Sequence, residues 1–183
     1  ASAQQLHDLA EQTENQLHRV LGTAALGGCL YLRGQLADAA DRLQQAFALG
    51  ERYGYMETGQ YCLGVLSLCA MRQGDRDRAA DAAERGLRLM DVPMFAHDGS
   101  YEGFPACAET LWQLWHGETD PTKKSYFKSR LDKFLDIFKR YSKLFPNGLP
   151  SYHRILCQYL WSQQQTEAAR QAIARSEACA EQY

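Results

Sequence analysis

The stretch from Leu26 to Tyr53 reads LGGCLYLRGQLADAADRLQQAFALGERY: a helix rich in small residues, a turn at Gly34, and a second helix carrying Ala39, Ala40 and Ala46. A looser copy, LSLCAMRQGDRDRAADAAERGLRLM, runs from Leu66 to Met90, and a third closes the chain as CQYLWSQQQTEAARQAIARSEACAEQY. A helix pair of this size cannot bury its apolar faces alone, so successive pairs must stack and share a core. Recurrence at this interval therefore predicts an array of helix pairs, a fold that offers surfaces rather than one enclosed cleft.

The 183 residues suffice for several such pairs. A formal net charge of −2 argues against a protein that coats nucleic acid. No apolar run approaches the roughly 20 residues of a membrane-spanning helix, and the polar opening ASAQQLHDLAEQTEN has no apolar signal-peptide core. Six cysteines, Cys29, Cys62, Cys69, Cys107, Cys157 and Cys179, are dispersed without a C-x-x-C pair and fall among apolar helical residues. They are expected as reduced, small core hydrophobes, which places the chain in the cytoplasm.

Taken in order, Gln4–Thr13 has helical spacing of Leu6, Leu9 and Ala10. Asn15 caps a helix over Gln16–Leu32, and Leu36–Tyr53 returns with Leu36, Ala39, Leu43, Ala46 and Phe47 inward. Tyr55–Arg72, Gly74 and Arg76–Leu89 repeat the cycle, and the loop DVPMFAHDGS follows. A third pair starts near Tyr101, turns at Gly117 and returns from Asp120-Pro121 to about Phe145. Pro146, Gly148 and Pro150 separate it from a fourth pair over Ser151–Trp161 and Thr166–Tyr183. No segment alternates like a strand, so the fold is expected to be all-α.

Aligning Gly34, Gly74, Gly117 and Gln163 as turn positions gives intervals of 40, 43 and 46 residues. Five residues after the turn lie Ala39, Ala79 and Ala168, with Thr122 in the third unit; seven and eight before it lie Leu26-Gly27 and Leu66-Ser67. Small residues suit those points because the two helices of a pair cross there. The pattern Leu26-Gly27, Leu30, Gly34, Ala39, Leu43, Ala46 resembles the tetratricopeptide repeat, although the spacing exceeds that repeat's period of about 34 residues. Extended versions resemble the helical arrays of bacterial multidomain regulators that join a signalling ATPase to a cyclase, kinase or DNA-binding domain; those arrays usually have a glycine where this chain has Gln163. The resemblance implies a right-handed superhelix of about four antiparallel helix pairs. Its units are 1–14 (half a pair), 15–54, 55–93, 101–145 and 151–183, a single domain over 1–183. Leu9-Ala10-Glu11 parallels Leu49-Gly50-Glu51, and the closing Ala180–Tyr183 parallels Gly50–Tyr53, so the chain is expected to be a piece of a longer array.

In that register the inner groove is lined by first-helix residues two and three before each turn. They are Tyr31 with Leu32, Met71 with Arg72, Leu114 with Trp115, and Leu160 with Trp161, and the resemblance adds His153. Trp and Arg are the types that anchor interfaces, and the other reading of these aromatics is that they pack on a neighbouring repeat. The expected function is therefore non-catalytic: a scaffold or regulatory module that binds a protein, a peptide or another domain of the same polypeptide. Trp115 and Trp161 are then expected to tolerate alanine with loss of binding but not of the fold.

The alternative is anion or nucleic-acid binding through residues 123–145, where eight Lys and Arg face only Asp132 and Asp136. Lys124, Lys128, Lys139, Arg140 and Lys143 form that candidate face. Phe127, Leu131, Phe134, Leu135, Phe138, Tyr141 and Phe145 make the same helix's inner stripe. Nucleic acid ranks behind protein as a partner because of the net acidic charge.

Chemistry-bearing motifs are sparse. No H-E-x-x-H, G-x-S-x-G or phosphate-loop pattern occurs, so no catalytic residue, cofactor or metal is expected. A metal site joining His97 and His116 is the remaining enzymatic possibility. Asp38, Asp41, Asp75, Asp77, Asp81 and Glu84 read as a solvated face.

Overall fold

A computed structural model of the chain describes residues 15–90 and 102–182, together with Gln5, Asp8 and Leu9. Among the described residues there are eight α-helices and no strand. They are α1 (Gln16–Leu32), α2 (Leu36–Tyr53), α3 (Gly59–Arg72), α4 (Arg76–Met90), α5 (Gly103–His116), α6 (Pro121–Leu144), α7 (Leu149–Ser162) and α8 (Thr166–Gln182). Short 3-10 turns at Met56–Thr58 and Pro146–Gly148 lead into α3 and α7. Consecutive helices pack as pairs, α1 on α2, α3 on α4 and α7 on α8, and the fold is all-α. The helix expected over Gln4–Thr13 lies mostly outside the described residues, as does the loop containing His97. The chain forms two compact units, Ala1–Cys107 and Ala108–Tyr183, whose boundary falls within α5.

Local chemistry sets the helix ends. The Asn15 side chain accepts from the His18 N–H at 3.1 Å and Asp120 from the Lys123 N–H at 2.8 Å, so both helices start on side-chain caps. Pro121 follows Asp120, in the first turn of α6, where its missing N–H leaves no bond unmade.

Three of the turns between paired helices share one geometry. Gly34 donates to the Tyr31 carbonyl at 2.9 Å and Gln35 to that of Leu30 at 3.0 Å; Gly74 and Asp75 repeat this onto Met71 and Ala70. Gln164 and Gln165 repeat it onto Trp161 and Leu160 at 2.9 and 3.0 Å. The central residue is left-handed each time, φ 76° at Gly34, 79° at Gly74 and 62° at Gln164. A side chain in that region costs on the order of 1–2 kcal/mol, which the packing of α7 on α8 overrides.

This geometry moves the last copy by one residue. Its turn position is Gln164 rather than Gln163, and the residue five further on is Ala169 rather than Ala168. Ala39, Ala79 and Ala169 are all completely buried, whereas Ala168 is exposed. The eight-and-seven pair becomes Leu156-Cys157, a match to Leu26-Gly27 and Leu66-Ser67 that a glycine-anchored alignment misses. In the third link Gly117 is not left-handed among the described residues, and four residues, Gly117 to Asp120, join α5 to α6.

The core of the first unit gathers Ala24 of α1, Ala39, Leu43, Ala46 and Phe47 of α2, and Cys62, Leu63, Leu66 and Cys69 of α3, with Ala82 of α4. In the second unit the inner stripe of α6 is buried at Leu131, Phe134, Leu135, Phe138 and Tyr141, while Phe127 and Phe145 are half-buried at its ends. The close approach of α1 and α2 depends on Gly27: a Cβ there would lie 2.7 Å from Leu43 Cγ and 3.2 Å from the Leu43 backbone nitrogen. Alanine would gain up to about 1 kcal/mol of helix propensity. It would lose about 1–3 kcal/mol to overpacking against a fully buried leucine. Gly27→Ala is expected to lower the denaturant midpoint, read by circular dichroism; an unchanged or higher midpoint would mean that the helices separate at little cost.

Two expectations are corrected by burial. Asp38, Asp41, Asp75, Asp77 and Asp81 are exposed, but Glu84 is buried on α4, between Ala83 and Gly86 of that helix's inner face. Among the thiols, Cys62, Cys69 and Cys107 are core residues, Cys157 and Cys179 are half-buried, and Cys29 is exposed on α1.

Candidate functional site

The shared turn register determines which side chains occupy corresponding places. Three residues before each left-handed position stand Tyr31, Met71 and Trp161; two before stand Leu32, Arg72 and Ser162. Each sits in the last turn of a first helix, where the chain is about to reverse.

In the first unit α1 and α3 bring this set together. Tyr31 is half-buried against the core cluster, and the Arg72 guanidinium lies over its ring, 4.3 Å from the centroid. Such stacking holds a cation over an aromatic face while leaving its N–H donors outward. Met71 is half-buried, and Leu32 is 81% exposed. The result is a small surface of one aromatic, one cation and two flexible apolar side chains.

In the second unit the expected pair of tryptophans divides. Trp115 is only 8% exposed and packs on Tyr159, ring centroids 5.4 Å apart and tilted by 51°. It is a packing residue, so of the two readings of this aromatic, open groove or packing, Trp115 takes the second. Trp161 is 62% exposed. Trp112 stacks flat on His116 at 5.3 Å, and its indole N–H donates to Ser162 Oγ at 3.1 Å. That bond ties the end of α5 to the end of α7 just beside Trp161. His153 is half-buried with its ring edge against Tyr152, 5.1 Å between centroids. Burial and, secondarily, the charge of Arg175 push its pKa down, so it stands as a neutral imidazole.

The basic face of α6 also divides. Lys128 Nζ donates to Asp132 at 2.8 Å and to the Tyr159 hydroxyl at 3.0 Å, and that hydroxyl donates to Asp132. These hydrogen bonds, Asp132 first, raise the Lys128 pKa and commit the ammonium to joining α6 with α7. Lys124, Lys139, Arg140 and Lys143 are exposed. Helical geometry puts Lys124, Lys139 and Lys143 on the same side as Lys128 and Asp132, and Arg140 on a neighbouring line. That line holds Tyr126, Arg130, Lys133, Ile137, Arg140 and Leu144. Its exposed apolar ends went unremarked in the sequence, although their alternating three- and four-residue spacing was legible there.

Three of the thiols are held as neutral core groups. Burial pushes the Cys62 and Cys107 thiols up to about 12 and the Cys69 thiol to about 11, far from thiolates at neutral pH. Among the described residues no three His, Cys, Asp or Glu side chains converge on a point. His116 is exposed and stacked on Trp112, and His97 lies outside the described residues. None of the helices among those residues is long and apolar enough to cross a membrane. Comparison with family models, with curated proteins and with solved structures returns no match for this chain.

Proposed function

We propose that the chain is a non-catalytic, tetratricopeptide-like interaction module that binds a protein or peptide segment through the last turns of its first helices. The observation that carries this reading is the exposure of Trp161. An indole left 62% exposed forgoes a large part of the burial that its apolar surface would gain in a core. It occupies the repeat position of Tyr31 and Met71, so three of the helix pairs place a large apolar or aromatic side chain at one structural place. Arg72 beside Tyr31 and Leu32 beside it add the residue types that anchor partner chains. A segment with apolar anchors suits this lining better than a carboxylate tail, which would call for several cations where Arg72 alone is stacked.

Selection from a random peptide display library on the purified domain tests the reading. Enriched peptides should carry apolar or aromatic anchors. Trp161→Ala should weaken those that bind the second unit, and Tyr31→Ala or Arg72→Ala those that bind the first, by about tenfold or more, as central anchors do, with melting curves close to wild type. Failure to enrich any peptide, or binders indifferent to all three substitutions, would overturn it.

A further inference from the structure

A cavity of about 370 Å³ opens between α1 and α2, lined by Leu26 and Leu30 of α1 and by Asp38, Asp41, Arg42 and Gln45 of α2. Helical spacing puts each set on one side of its own helix. Leu26 is buried, Leu30 and Arg42 are half-buried, and Asp38, Asp41 and Gln45 are exposed. Arg42 donates to Gln45 Oε1 at 3.1 Å rather than to Asp38 one turn back. Neither the Asp38 nor the Asp41 carboxylate has an ion-pair or hydrogen-bond partner among the described residues. The cavity thus joins an apolar floor to two unpaired negative charges.

The second helix pair shows what this place can hold. One repeat interval further on, the same positions are Leu66, Ala70, Arg78, Asp81, Ala82 and Arg85. There α2 fills the space: Phe47 shares a core cluster with Leu66 and Ala82, and the Arg85 guanidinium lies over its ring, 4.7 Å from the centroid. A large side chain inserted from a neighbouring helix therefore occupies that position. In the first pair Arg42 stands where the second has Ala82, and Asp38 where it has Arg78.

We propose that the cavity receives the lysine or arginine side chain of a partner protein segment, its methylene stem on Leu26 and Leu30 and its cation against Asp38 and Asp41. Long cationic side chains combine an apolar stem with a charged tip, which matches both halves of the lining. An apolar side chain such as Phe47 would draw two carboxylates out of water without a partner. An anion would be repelled by the same two charges. A divalent ion fits less well, because no third ligand converges there among the described residues and the leucines would go unused. These residues differ from Tyr31, Arg72 and Trp161, so the proposal does not rest on the first-helix surface.

The test is two-dimensional NMR of the isotope-labelled chain, titrated with the blocked tripeptide acetyl-Leu-Lys-Leu-amide. Saturable shifts should appear at the backbone amides of the cavity residues, and acetyl-Leu-Glu-Leu-amide should produce none. Asp38→Asn with Asp41→Asn should weaken the lysine peptide by about fivefold, the size expected for two partly exposed ion pairs. Leu30→Ser should weaken it through the stem, and added salt should weaken it through the charges. Tyr31→Ala should leave it unchanged. Circular dichroism of each variant checks that the fold is kept; if the double variant unfolds, Asp41→Asn, which lies beyond the first turn of α2, carries the measurement. Equal shifts with the glutamate peptide, shifts confined to other residues, or full binding by the asparagine variants would overturn the proposal. So would tighter binding of calcium ions that Asp41→Asn abolishes, by making the occupant a metal.

Discussion

Trp115→Ala is expected to destabilise the second unit by about 3–5 kcal/mol, the range for truncating a buried aromatic. Trp161→Ala should fall within about 0.5 kcal/mol of wild type, as exposed substitutions do. The contrast follows from exposures of 8% and 62% and from the contact of Trp115 with Tyr159. Removing the Trp115 indole also uncovers the Tyr159 ring, whose hydroxyl is held between Lys128 and Asp132, so the α6–α7 junction loses its apolar backing. Urea titration followed by far-UV circular dichroism measures both variants. Trp112, Trp115 and Trp161 are the chain's three tryptophans, all within Ala108–Tyr183, so intrinsic fluorescence reports on that unit directly. Equal midpoints for the two variants would mean that Trp115 is not a core residue.

The second large effect belongs to the first unit. Leu43 is completely buried, and its truncation to alanine should cost about 2–5 kcal/mol through lost transfer energy and the cavity left behind. Its Cγ and Cδ2 are the atoms that a Cβ on Gly27 would strike, at 2.7 and 3.0 Å. Leu43→Ala therefore removes most of the clash that makes Gly27→Ala unfavourable. In the double variant the added methyl should enter the cavity, and the two changes together should cost less than their sum by about 1 kcal/mol. Strict additivity, measured by circular dichroism in urea, would mean that the two residues do not meet. The cycle tests the small-residue crossing directly, because no other contact need change.

Much of the fold was legible in the sequence because it rests on short-range physics. The caps Asn15 and Asp120, the left-handed Gly34 and Gly74, and the stripe from Leu131 to Tyr141 each depend on neighbours within a turn or two. Their spacing predicts the helices to within a few residues, the largest shift being at α3, which starts at Gly59 after a 3-10 turn instead of at Tyr55. The last turn was misplaced by one residue because the expected marker was glycine. Gln164 takes the left-handed conformation without the side-chain signal, and only the buried Ala169 reveals the register.

The candidate site was less legible, for a different reason. Periodicity says which way a side chain points from its own helix, and so the sequence by itself determined the all-α fold, the helix pairs, the inner stripes and the repeat position shared by Tyr31 and Met71. It does not say whether another element lies there. Trp115 and Trp161 were given the same position before their turns, yet one lies on Tyr159 and the other faces outward. Glu84 was grouped with the exposed aspartates of a charged face, yet is buried. Lys128 belongs to a basic run, yet is held by Asp132 and by Tyr159, which lies 31 residues away in the chain. Exposure and pairing are properties of what packs alongside a helix, and that neighbour is supplied by residues distant in the chain. The tertiary structure alone decided which cations and aromatics remain exposed.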